Sequence, residues 1–221
     1  MKDKRFLALF ALFLTAAIAV TTFSVITKIR GNDRPLFQLA FALALSAAVY
    51  FSGFFYERAS GKRGAVKLSL RIILAIYLIL FVNFTIFDGH FGRSASERAA
   101  SMTLAENFEA RGNVIPFKMI YRQTKGLIAG TYALKSYVVN IAGNLGATFP
   151  LGILLPLASK KCRRFPIFFA ISSLIIVAVE TSQLLLRVGS FDVDDYILNI
   201  IGAVAGYAIL SMMPLRALKN S

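Results

Sequence analysis

One cysteine and one histidine occur in the 221 residues. Cys162, set in the basic run KKCRR, has no partner for an internal disulfide. One Cys with one His also cannot build a Cys/His metal cluster. Charge is scarce: 16% of residues are Asp, Glu, Lys or Arg, against about 25% in a soluble domain. Acids are the scarcer sign, 11 against 25 basic residues, and the net charge is +14. No stretch interleaves basic residues with aromatics as a nucleic-acid groove does, so nucleic acid is not an expected partner. Internal repeats and low-complexity tracts are absent.

What fills the chain instead is apolar: 57% of residues are hydrophobic and mean hydropathy is +0.67. Six runs, at about 6–27, 36–55, 69–87, 137–157, 165–186 and 196–213, approach the roughly 20 helical residues needed to cross a bilayer core. The expected fold is all-α, a polytopic membrane helix bundle of about six transmembrane helices. The first run follows Lys2, Lys4 and Arg5 and has a weak cleavage match at Ala17-Ile18-Ala19. It is longer than a signal-peptide core, so a retained helix is expected.

Basic residues gather at Lys2, Lys4 and Arg5, at Arg58, Lys62, Arg63 and Lys67, at Lys160, Lys161, Arg163 and Arg164, and at Arg216 and Lys219. With six spans these clusters share one side. The positive-inside rule then predicts N-in and C-in, with 88–136 and 187–195 outside and the inner clusters facing anionic lipid. The long outer connection holds the only histidine, His90, expected to be an exposed loop residue. Ser94-Ala-Ser-Glu97 has a capping-box pattern and suggests a helix over 94–110. In 113-NVIPFKMIYRQTKGLIAGTY-132, apolar and basic residues alternate, which predicts a segment lying on the membrane surface or re-entering it.

Polar residues inside apolar runs are the chemical signal. Asn140 and Asn144 share a face of the fourth span, and Glu180 and Gln183 share a face of the fifth. Asp192, Asp195 and Asn199 share a side at the start of the sixth, with Asp194 pointing elsewhere. At about 1.5 Å per residue, Glu180 lies about 10 Å, Asn199 about 5 Å and the two asparagines about 5–10 Å inside their outer span ends. Three separate stretches thus converge on one depth. Asparagines and glutamines at such depth also serve as plain interhelical hydrogen-bond partners. A carboxyl there is costly and is by default a functional candidate. The acidic turn 192–195 reads equally as a helix cap, and as an acid, base or cation site. Gly202-x-x-x-Gly206, and Gly143 with Ala147, allow close helix approach. Pro150 and Gly152 predict a kink in the fourth span.

Residues 113-NVIPF-117, 140-NIAGNLGATFPLGILLP-156, 180-ETSQLL-185 and 191-FDVDDYILNIIGAVAGY-207 resemble, in order, the signatures of VanZ-like membrane proteins. The resemblance covers roughly 70–210. It divides the chain into an N-terminal part, 1–68, with two spans and a basic connection, and a VanZ-like membrane domain, 69–213. The matching positions are Asn113, Pro116, Phe117, Asn140, Asn144, Pro150, Gly152, Glu180, Gln183, Asp192, Asp195, Asn199, Gly202 and Gly206. Where the family often has arginine before the Phe–Asp pair, this chain has Ser190. The founding member is associated with teicoplanin resistance, and the resemblance implies a bacterial cytoplasmic-membrane protein.

Two functions are compatible with these residues. One is a membrane-embedded enzyme acting on a lipid or lipid-linked cell-wall precursor. Glu180 and Asp195 would be acid and base, or Asp192 and Asp195 would hold a divalent cation. Asn113, Asn140, Asn144, Gln183, Asp192 and Asn199 would bind the substrate, and Gly202 and Gly206 would pack helices. The other is a non-catalytic binder of a lipid, antibiotic or envelope protein through the same residues. A transporter ranks last, because the polar groups lie on one side of the membrane only.

Overall fold

The computed structural model describes residues 4–29, 35–87, 103–189 and 191–213. Among these residues eight α-helices follow in order: α1 (Lys4–Ile29), α2 (Pro35–Ser60), α3 (Ala65–Val82), α4 (Leu104–Arg111), α5 (Lys118–Ile128), α6 (Leu134–Ala158), α7 (Phe165–Leu185) and α8 (Val193–Met212). All six apolar runs are helical. Five stretches, Phe37–Ser60, Ala65–Ile86, Leu134–Ala158, Phe165–Leu185 and Val193–Met212, are long and apolar enough to cross a membrane. A π-helical turn, Asn83–Phe87, ends α3, and a short 3₁₀ segment, Lys160–Arg163, links α6 to α7. Among the described residues the only β-type pairing is one isolated bridge, between Asn113 and Asp192.

The chain forms two compact units. One runs to Ile79 and includes Leu157–Lys160; the other comprises Leu80–Pro156 and Lys161–Met213. In the first, α1 and α2 pack through rings: Phe13 stacks on Phe55 at 5.4 Å and meets Phe51 at 5.1 Å, and Phe10 meets Tyr56 at 5.3 Å. Such pairs contribute about 0.5–1.5 kcal/mol each beyond area burial. The turn after α2 needs positive φ at Gly61 and Gly64. It is closed by Glu57, whose Oε1 accepts the Gly64 and Val66 N–H groups at 2.7 and 2.9 Å and so caps the start of α3.

In the second unit, α7 and α8 run antiparallel. Phe168 stacks on Tyr207 at 4.5 Å near one end, and the Ser173 and Tyr196 hydroxyls share a hydrogen bond at 3.0 Å further along. α7 closes in a Schellman motif, with Val188 N–H bonded to the Gln183 carbonyl and Arg187 N–H to that of Leu184. Arg187, at φ 59°, takes the left-handed position usually held by glycine.

α6 and α8 run parallel, in one register. Asn144 bonds Asp195 and Thr148 bonds the Asn199 carbonyl, and both pairs are 51 residues apart. Gly152 continues the register, because a Cβ there would overlap the Ala203 carbonyl oxygen. Gly202 abuts the Leu145 carbonyl and Gly206 that of Phe149. The Gly202–Gly206 pattern therefore brings backbones together as expected. On the α6 side the residue that permits this is Gly152, not Gly143, around which a Cβ would meet open space. α6 continues through Pro150 and Pro156.

Among the described residues of the outer connection, a capping box forms at Thr103. The Thr103 hydroxyl accepts the Glu106 N–H at 3.2 Å, and Glu106 Oε2 accepts the Thr103 N–H at 2.6 Å. These bonds hold the Glu106 carboxyl below its ordinary pKa. Ser94–Glu97 and His90 lie outside the described residues.

Candidate functional site

The site grows from the start of α8. Asp192 is its N-cap, with Oδ1 accepting the Asp194 N–H at 2.9 Å. The same oxygen accepts Asn113 Nδ2 at 2.9 Å. Backbone bonds fasten the contact from both sides, Asn113 N–H to the Phe191 carbonyl at 2.8 Å and Val193 N–H to the Asn113 carbonyl at 2.9 Å. Burial pushes the Asp192 carboxyl above its ordinary pKa. The Asn113 and Asp194 hydrogen bonds pull the other way, and so does the charge of Arg122.

Asp194 points away from the side of Asp195 and Asn199, as expected, and is buried, only 1% exposed. Its carboxylate accepts three backbone N–H groups of the segment leading into α5: Phe117 at 2.5 Å, Met119 at 2.7 Å and Ile120 at 3.0 Å. The first helical amides have no partner within their own helix, and a carboxylate from α8 supplies one. Phe117 precedes α5 at φ 64°, a left-handed conformation that a bulky residue adopts only when its surroundings enforce it. Position counting on α8 alone missed Asp194, because its partners come from a segment 75 or so residues earlier. The sequence signal was the NVIPF turn, which leaves open amides without a side-chain cap of its own.

Asp195 faces α6. Asn144 Nδ2 donates to Asp195 Oδ1 at 2.6 Å and also reaches Asn140 Oδ1 at 3.1 Å. Asn140, Asn144 and Asp195 thus form one continuous polar line, each partly accessible. One turn deeper, Thr148 Oγ1 donates to the Asn199 carbonyl at 2.6 Å. The Asn199 side chain is buried, and its Oδ1 has no hydrogen-bond partner. Thr148 was not anticipated; it lies four residues beyond Asn144 on the same face of α6.

α7 contributes a second buried group. Glu180 (3% exposed) and Gln183 share its inward face with Ser172 and Ile176. Gln183 Nε2 donates to the Thr85 carbonyl at 3.2 Å. Thr85 lies in the π-helical turn, where the backbone departs from the α-helical ladder.

The structure therefore joins Asn113 with Asp192, and Asn140 with Asn144 and Asp195, and buries Glu180, Gln183 and Asn199 within the same unit. It does not gather a cation cage. Asp192 Oδ1 is engaged as cap and strut, and no group of three or more His, Cys, Asp or Glu ligands converges among the described residues. Asp192 and Asp195 instead engage different partners, Asn113 and Asn144. Ser190 lies outside the described residues.

These helices define a multi-pass α-helical membrane protein with a polar seam between two parallel spans. The VanZ/LLP1 family profile matches residues 74–214, more than half of the chain, and the protein belongs to that family. No curated protein and no solved structure matches the chain.

Proposed function

We propose that the protein acts in the bacterial cytoplasmic membrane, N-in and C-in, as a membrane-embedded enzyme on a lipid or lipid-linked cell-wall precursor. The reaction would take place at the α6–α8 seam. The observation that carries this reading is the Asn140–Asn144–Asp195 line. Of the three aspartates in the turn, Asp192 and Asp194 are committed to holding backbone. Asp195 alone combines an oriented carboxylate with partial access. It would exchange a proton with the reacting group, with Glu180 as the second acid or base. Asn113, Asn140, Asn144, Gln183, Asp192 and Asn199 would orient or frame the polar head. The family's association with glycopeptide resistance fits action on an envelope precursor.

The test compares lipid and precursor profiles of cells carrying wild type, Asp195→Asn and Glu180→Gln, in a strain whose deletion has a phenotype. Accumulation of one lipid-linked species in both variants is expected. Identical profiles would overturn the enzymatic reading. A second reading is favoured by the abundance of neutral amides: Asn140, Asn144, Gln183 and Asn199 suit recognition without turnover. A lipid or antibiotic that still binds both variants, with no product formed by wild type, would establish it.

A further inference from the structure

Helix α5 has two unlike sides. Counted at about 100° per residue, Lys118, Arg122 and Lys125 fall within an arc of about 60°, Tyr121 and Ile128 border it on one side, and Ile120, Gln123 and Leu127 lie opposite. The burial follows this pattern. Gln123 is 8% exposed, whereas Tyr121 is 68% and Ile128 83% exposed. All three cations are exposed. The turn leading into the helix adds Val114, Ile115 and Phe117, also exposed.

The position of this face is fixed. Asp194, at the start of α8, holds the amides of Phe117, Met119 and Ile120. Thr124 shares a hydrogen bond with Tyr137 near the start of α6 at 3.1 Å. Both α6 and α8 are long and apolar enough to cross a membrane. α5 is therefore tethered where these two spans meet the same leaflet surface. Apolar side chains bordering a basic arc are the arrangement of a helix lying at the acyl–headgroup boundary, with the cations among the phosphates.

We propose that α5 is a binding site for anionic phospholipid. The phosphates would pair with Lys118, Arg122 and Lys125, and Tyr121, Ile128, Ile115 and Phe117 would insert into the adjoining acyl layer. The carboxylates near this helix have other hydrogen-bond partners: Asp194 is turned inward onto backbone amides, and Asp192, which feels the charge of Arg122, is buried and bonded to Asn113. The proposal is independent of any reaction at the α6–α8 seam.

The chain contains no tryptophan, so Tyr121→Trp and Ile128→Trp each give the full-length protein a single reporter. In phosphatidylcholine–phosphatidylglycerol nanodiscs, bromines near the headgroup end of the acyl chains should quench both, and more strongly than bromines near the bilayer centre. A reporter unquenched at both positions, including one shielded by a second copy of the chain, overturns the proposal. In parallel, the variant Lys118→Gln/Arg122→Gln/Lys125→Gln is titrated with phosphatidylglycerol in detergent and read by native mass spectrometry. At about fivefold per cation, its affinity should fall by about 100-fold. Unchanged phosphatidylglycerol binding in that variant also overturns it.

Discussion

Asp194 holds Phe117 in a left-handed backbone conformation by accepting its N–H, at 2.5 Å, from a different part of the chain. The same carboxylate holds Met119 and Ile120. Asp194→Asn keeps one acceptor oxygen and turns a donor toward amides that already donate. The expected cost is about 2–4 kcal/mol, from buried donors left unsatisfied. Thermal unfolding in detergent measures the total. Hydrogen exchange localises it, and unchanged protection at residues 117–120 would contradict the assigned role.

Asp192 should behave differently. Asparagine caps helices as well as aspartate does, and its Oδ1 can accept from both Asn113 and the Asp194 N–H. Asp192→Asn should stay within about 1 kcal/mol of wild type, while Asp192→Ala should lose about 1–2 kcal/mol. The sign with pH follows from the raised pKa. The folded state holds this proton more tightly than the unfolded chain. The Asp192 contribution is therefore most favourable at low pH, and it declines as pH rises from the ordinary carboxyl value through the folded one. Melting temperatures of wild type minus Asp192→Asn, measured across pH 3–7, should fall in that window. A rising difference would refute the sign.

The helix seam gives a graded prediction. Gly152→Ala, Gly202→Ala and Gly206→Ala each drive a methyl into the backbone of the opposing helix. Each should cost about 1–3 kcal/mol, the usual range for overpacking. Gly143→Ala meets open space and should be neutral or gain about 0.5–1 kcal/mol from helix propensity. Equal losses at all four positions would mean that the seam is not where these contacts put it.

Helix α4 depends on a reciprocal cap. Thr103→Ala removes both hydroxyl contacts with Glu106 and should speed hydrogen exchange over Leu104–Arg111 severalfold, leaving the transmembrane helices unaffected. Glu106 is held below its ordinary pKa by Thr103. Its stabilisation is therefore present above the ordinary carboxyl value and disappears as pH falls through the folded one. Exchange in α4 that ignores acidification would count against the box.

Much of the fold was legible because bilayer crossing demands long apolar runs, and all six became helices. Of the site, spacing correctly set Asn140 beside Asn144 and put Asp195 and Asn199 on the side of α8 that meets α6. What spacing within one helix cannot reveal is a partner supplied by another segment. Asp194 points away from the side that meets α6, as its position predicts, but the amides it holds come from residues 117–120. The approach point on α6 is hidden in the same way: both Gly143 and Gly152 are glycines, and only the parallel register shows which one faces a backbone. Thr103-Leu-Ala-Glu106 carries the same signature as Ser94–Glu97, and spacing alone does not distinguish the two. Pro150, expected with Gly152 to bend the fourth span rather than end it, sits with Pro156 inside one continuous helix, as bundles allow where neighbours satisfy the freed carbonyls.

The parallel seam between α6 and α8 also has a timetable. Asn144 leaves the ribosome 51 residues ahead of Asp195, and at roughly 5–20 residues per second that interval lasts several seconds. Throughout it α7 must be made and turned back before the last span can arrive. During the wait the amide's available neighbour on its own helix is Asn140, at 3.1 Å in the finished protein. Asn140 and Asn144 can therefore satisfy one another within α6 alone, and in the finished protein the same amide also reaches the Asp195 carboxylate.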